Sequence, residues 1–176
     1  MKSTFARQLN SRRAQAFTLA LALSTGASAA NDRQPGITSV PRLSAEMAQQ
    51  AVTAAVLACR KEGWKVTASV VNPDGVLQAA LRDDGAGPHT VSFSYRKAYS
   101  AASYMVDTLK LDQEVQRTPD IQSLRGADET LILGGGIPIR NGAQLIAAIG
   151  VSGTPSATID DRCAQAGIAA IDSALR

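Results

Sequence analysis

The sequence predicts an α+β domain, an antiparallel sheet with helices packed on it. Three observations lead there. Segments of strand character follow one another across tight-turn signals, NPDG at Asn72 to Gly75 and the Asn141-Gly142 pair, and do not alternate with helices as parallel βαβ units do. Helical periodicity is strongest in three stretches, of which the first and last bracket all the strands. The resulting order is α-β-β-α-β-β-β-α, with no internal repeat and no apolar run of the roughly 20 residues that a membrane helix needs.

The first thirty residues read as a separate segment. Lys2, Arg7, Arg12 and Arg13 precede any acidic residue, AFTLALAL follows from Ala16 to Leu23, and small residues continue in STGASAA to Ala30. A basic region, a short apolar run and an A-x-A-like site make a secretory signal peptide over residues 1–30. The expected location is therefore periplasmic or extracellular. Twin arginines in SRRAQAF suit the twin-arginine route. Gln15, however, stands where that signal usually has an aromatic residue, so an ordinary secretory signal is equally open. The chain holds 18 Lys+Arg against 15 Asp+Glu, and four of the basic residues lie in the leader, leaving 14 against 15. The basic pI of 9.1 thus belongs to the leader and is no argument for nucleic acid. About 146 residues remain, enough for one domain with a core of its own.

Residues 31–42, with two prolines and a glycine, read as a flexible lead-in to a domain spanning 43–176. Ser44 can cap a helix from Ala45 to about Glu62 that stops at Gly63, with Met47, Ala51, Ala55 and Cys59 on one apolar stripe. WKVTASVV and VLQAALR flank NPDG as the two strands of a hairpin. A second helix follows DDGAGP, with Thr90 as its candidate cap and Val91, Tyr95, Ala98, Ala102 and Met105 as its inward stripe. Asp107 to Gly126 is polar, broken by Pro119, and reads as a short helix with irregular joins. ETLILGG, GIPIR and AQLIAAIGVSG supply two or three antiparallel strands. Thr158 then caps a last helix running to Leu175, with Ile159, Cys163, Ala166, Ala170 and Ala174 inward.

Several chemistries are excluded by their missing parts. LGGGIPI (Leu133 to Ile139) lacks the Lys-Ser/Thr and following helix of a phosphate loop, and reads as a glycine bend or a close backbone approach. A G-V-S-G sequence replaces the G-x-S-x-G elbow of a serine hydrolase. Asp83-Asp84 reads as a solvated turn, and Asp160-Asp161 as a helix N-terminus favoured by the macrodipole. Cys59 and Cys163, the only cysteines, both lie on inward helix stripes. In an oxidising compartment they could form a disulfide; two buried thiols are the alternative. With one histidine they do not make a zinc site.

The stretch GAGPHTVSFSYRKAYSAASY, from Gly85 to Tyr104, concentrates what remains. It contains His89, the only histidine, all three tyrosines, and the adjacent Arg96 and Lys97. Helical spacing aligns Tyr95 with Tyr99 and Arg96 with Ser100. Aromatic rings beside two cations suit a flat apolar ligand with acidic arms. The plainer reading is an amphipathic helix whose tyrosines fill core or oligomer surface.

VTASVVNPDGVLQAALRDDGAGPHT, RKAYSA, LGGGIPI, GAQLIAAIGVSG and DRCAQAGIAAI together resemble, in order, the GlcG/HbpS family, also called the haem-degrading domain family. The resemblance covers about Leu43 to Leu175 and is nearest to the secreted haem-binding branch. It implies a single profilin- or PAS-like domain with a five-stranded antiparallel sheet. It also implies homo-oligomers, octamers in the haem-binding branch. Haem is the implied cofactor, with haem degradation or haem and iron sensing as further roles, and a membrane sensor protein as a partner. An iron-contacting threonine of that branch falls at Ser100 here, and His89 would be a stronger axial ligand. On this resemblance His89 and Ser100 are expected near the iron, Arg96 and Lys97 at the propionates, and Tyr99 packed nearby. Two other readings stay open: a homo-oligomeric structural or interaction protein without haem, and an accessory protein or enzyme acting on a small organic acid.

Overall fold

The computed structural model describes residues 36–175; the expected signal peptide and the first part of the lead-in lie outside them. Residues from Ser39 onward form one compact unit. Its elements are α1 (Ala45–Lys61), β1 (Thr67–Val71), β2 (Leu77–Arg82), α2 (His89–Tyr104), α3 (Thr108–Arg117), β3 (Gly136–Asn141), β4 (Gln144–Ser152) and α4 (Ala157–Ala169). Two 3₁₀ helices, Pro119–Gly126 and Asp172–Ala174, complete the order. Among the described residues no helix is long and apolar enough to cross a membrane.

The sheet is antiparallel and has the strand order β2-β1-β4-β3. It has four strands among the described residues, against the expected five. The missing strand is ETLILGG, which has strand composition but no ladder. Side chains from elsewhere take up its backbone groups instead. Ser100 Oγ accepts from the Leu131 N–H, Arg96 donates to the Thr130 carbonyl, Arg125 to Ile132, and Thr108 to Leu133. A segment whose polar backbone is already satisfied gains little from joining a sheet.

Strand β1 is buried along its whole length, because helices cover both faces of the sheet. Ala68 and Val70 point into a core shared with Val52, Val56 and Cys59 of α1 and Cys163 and Ala164 of α4. Cys59 and Cys163 are joined by a disulfide between these two helices, with Cα atoms 5.6 Å apart. Ser44 caps α1 as expected, accepting from the Met47 N–H. The cap residue of α4 is Ser156, not Thr158, and the helix ends at Ala169, short of Leu175.

The opposite face of β1 carries hydroxyls. Thr67 pairs with Thr90 at 2.6 Å and Ser69 with Ser94 at 2.8 Å, both buried contacts with α2. A small apolar cluster of Val71, Ala98, Ala101, Ala102 and Ala148 continues the interface. Helix α2 lies so close that a Cβ on Gly150 would stand 2.1 Å from the Ser94 carbonyl oxygen, and one on Gly136 2.3 Å from that of Lys97. The glycines of LGGGIPI and IGVSG thus serve close backbone approach, as expected for glycine inside strands. The inward stripe of α2 differs from the sequence expectation. Thr90, Ser94, Lys97, Ala98 and Ala101 are buried, whereas Val91 and Met105 are exposed. Thr90 is not a cap either; it lies within the helix, its hydroxyl shared between Thr67 and the Gly87 carbonyl.

Candidate functional site

Because α2 rests on the sheet through one side only, helical spacing turns His89, Ser92, Tyr95, Arg96 and Tyr99 outward, and none of them is buried. Three of the five residues singled out from the sequence, His89, Arg96 and Tyr99, therefore share this outer face. The other two face inward.

Lys97 is fully buried. Its ammonium donates to Asp160 Oδ2 at 2.7 Å and to the Val151 carbonyl at 3.0 Å. Burial pushes its pKa down, while the Asp160 carboxylate opposes that shift. Lys97 is thus committed to an internal ion pair and does not stand at the surface where a propionate would meet it. Asp160, which sequence reading placed only at a helix N-terminus, is its partner; its other oxygen accepts from the Thr154 N–H.

Ser100 is buried too. Its hydroxyl donates to the Arg96 carbonyl at 2.8 Å and accepts from the Leu131 N–H at 2.8 Å. It lies eleven residues beyond His89 on one continuous helix, about 16 Å along the axis at 1.5 Å per residue. His89 and Ser100 of one chain therefore do not converge on a single iron.

His89 opens α2 directly after Pro88, which occupies the cap position without a side-chain hydrogen bond. The imidazole is exposed and has no hydrogen-bond partner among the described residues. Its ring meets Phe93 edge-on, with centroids 5.3 Å apart and planes at 77°. One N–H of the Arg96 guanidinium is used on the Thr130 carbonyl at 2.5 Å, which holds the side chain without neutralising it.

Around the helix from His89 lies a groove of about 640 Å³ between α2 and the β1–β2 turn. Gly75, Val76 and Leu77 form one wall, and Val91, Tyr95 and Tyr99 the other. Its lining is mainly apolar, and its volume falls within the range of small-molecule pockets. Tyr95 and Tyr99 stand with ring centroids 6.1 Å apart. Burial pushes the Tyr95 hydroxyl's pKa up, with Glu129 and Tyr99 adding to the shift. Of the apolar wall, Val76 and Leu77 read in the sequence only as strand residues and Val91 only as part of the inward stripe, since none shows as a groove wall until the turn is folded against α2.

An imidazole, a guanidinium and an aromatic-lined apolar groove on one face can ligate a metal centre, meet carboxylates and cover a flat ring. The donor set of this face fits haem. Among the described residues no group of three or more His, Cys, Asp or Glu side chains is placed to hold a bare metal ion.

Comparison with known proteins gives this geometry a context. The model of the family described as haem degrading protein, HbpS-like, matches residues 43–169. Two crystal structures of HbpS, one a double mutant of the Streptomyces reticuli protein, are 36% identical with TM-scores of 0.73, covering 78% of this chain and 92% and 95% of theirs. Klebsiella pneumoniae protein ORFY is 27% identical with a TM-score of 0.74, over 80% of this chain and 97% of that one. A crystal structure of a PduOC:heme complex is 26% identical with a TM-score of 0.68, over 74% and 96%. No curated protein matches the chain significantly. Taken with the fold and with the glycine-seated helix α2, the match across residues 43–169 makes this chain a member of the HbpS-like family of haem-degrading proteins.

Proposed function

We propose that this protein binds haem on the outer face of α2, with His89 as iron ligand, Arg96 at the propionates, and Tyr95 and Tyr99 covering the ring from the groove. The observation that carries the reading is the placement of the chain's sole histidine. It stands exposed, with no hydrogen-bond partner among the described residues, on the helix that also carries Arg96 and that lines an apolar groove through Val91, Ser92, Tyr95 and Tyr99. Imidazole is a common protein ligand of haem iron, and guanidinium is suited to carboxylates. The family description and the relative crystallised with heme support the same ligand class. Bound haem would supply the redox chemistry; the chain would supply the ligand and the propionate contact. Lys97 and Ser100 contribute indirectly, by holding α2 and the Leu131 segment in place.

The reading includes export and self-assembly. The leader-like first thirty residues support export, and the Cys59–Cys163 disulfide suits an oxidising compartment. Degradation or sensing of haem, and a membrane sensor as partner, are the roles a secreted member of the family would have.

Haemin titration of the protein, followed at the Soret band, tests the core of this reading. A saturable shift at micromolar haemin is expected for wild type and Ser100→Ala, an altered spectrum for His89→Ala, and weaker binding for Arg96→Ala. Absence of any saturable shift in wild type would overturn the reading. A second reading then takes its place, in which the groove is a subunit contact without haem. It is favoured by the exposure of Val76, Leu77 and Val91, at 60%, 49% and 45%. Light scattering after size-exclusion chromatography tests assembly in either case.

A further inference from the structure

We infer that Gly87 and Phe93 form a seat that fixes the His89 imidazole for iron, which makes them positioning residues; this rests on the haem reading above. Metal-bound histidines are usually oriented by a hydrogen bond from the second ring nitrogen to a carboxylate, carbonyl or water. Among the described residues His89 has no such bond, so its orientation depends on contacts. Two elements supply them. Phe93, one turn further along α2, meets the ring edge-on at 5.3 Å, a favoured aromatic geometry. Gly87, two residues before the histidine, lies against the Cε1–Nδ1 edge of the ring. A Cβ there would stand 2.7 Å from Cε1 and 2.9 Å from Nδ1, but 3.8 Å from Nε2.

Two consequences follow from those distances. The Cε1–Nδ1 edge lies nearer residue 87 than Nε2 does, which makes Nε2 the less crowded nitrogen and the one assigned to iron. Residue 87 is glycine for space, because its backbone does not adopt the positive φ that glycine alone accommodates readily. Alanine meets no positive-φ strain there, and its nearest neighbours would be atoms of the His89 ring, which would have to shift. Substitution at residue 87 therefore acts through the imidazole and leaves the fold alone.

The test uses the fact that His89 is the chain's only histidine, so tag-free protein gives a single imidazole signal set in a long-range ¹H–¹⁵N spectrum. In haem-free protein, Gly87→Ala and Phe93→Leu should each move the His89 ring resonances, with an unchanged circular dichroism spectrum. In the haemin titration each should weaken binding about tenfold, the low end of the usual cost of removing a ligand's supporting group. If His89→Ala abolishes ligation while both variants bind like wild type, the seat is disproved and the haem reading stands. If wild type shows no haemin shift, the haem reading falls and the seat falls with it. Phe93→Leu alone decides the matter should Gly87→Ala misfold.

Discussion

The Lys97 ammonium and the Asp160 carboxylate meet 2.7 Å apart in a place where neither reaches solvent. The pair ties the middle of α2 to the first turn of α4 beside the Gly135 bend. Removing one member leaves the other charged and unmatched in the interior, at a cost of about 3–5 kcal/mol. Lys97→Met should lose that much stability in urea unfolding. Adding Asp160→Asn should recover part of it, because the stranded charge disappears while an acceptor for the Thr154 N–H is kept.

Ser100→Ala separates scaffold from ligand chemistry. The change strands the part-buried Leu131 N–H that Ser100 Oγ now satisfies, and should destabilise the protein by about 1 kcal/mol. The spectrum of the haemin complex should stay that of wild type. An altered spectrum with unchanged stability would show instead that this hydroxyl reaches the iron.

Asp161 offers a test by pH. Burial is the main cause of its raised pKa, with Asp107 adding to it, against the opposing Gly135 N–H, Gln165 and Lys110. Its Oδ1 has no hydrogen-bond partner among the described residues. A group whose pKa rises on folding binds its proton more tightly in the native state. Its contribution is therefore complete below the ordinary value of 3.8 and is lost as pH rises through the higher folded value. Asp161→Asn should flatten the fall in stability over that window and leave neutral-pH stability equal or higher. Thermal unfolding across a pH series measures both.

Reduction of the Cys59–Cys163 bridge opens a long loop, since the two cysteines are 104 positions apart. Loop-entropy arguments put the cost at about 4–5 kcal/mol. Denaturant unfolding with and without reductant should show that difference, and Cys59→Ala/Cys163→Ala should reproduce it without reductant.

The framework of this fold is legible where hydrophobic periodicity and turn chemistry coincide. Ser44, the alanine stripe of α1 and NPDG each announce their structure, because a cap, an apolar face and a tight turn are local facts. Helix α2 is legible as a helix but not in its orientation. Its buried side holds hydroxyls and an ion pair, which a count of apolar residues passes over, so exposed Val91 and Met105 were placed inside and Lys97 outside. The Thr130–Gly134 segment fails as a strand for a related reason, as the groups that satisfy it come mostly from Arg96, Ser100 and Thr108, 25 to 34 residues away in sequence, with Arg125 nearer by. Of the candidate site, His89, Arg96 and Tyr99 stand out by residue type, but their assignment to a ligand comes from the family resemblance and not from spacing. The groove wall and the Gly87–Phe93 contacts required the folded turns.

The paired hydroxyls beneath α2 also set how this helix can move. A helix resting on aliphatic side chains can creep along its axis or roll by small steps at little cost, since one methyl contact replaces another. Thr67–Thr90 and Ser69–Ser94 are discrete, like teeth in a rack. Displacing α2 by a single residue would part both pairs at once and leave the buried Thr67 and Ser69 hydroxyls to find new partners, while Thr90 and Ser94 keep their bonds to the Gly87 and Val91 carbonyls. The outer row from His89 to Tyr99 is thereby indexed to strand β1, and a ligand arriving there meets side chains whose spacing was fixed from below.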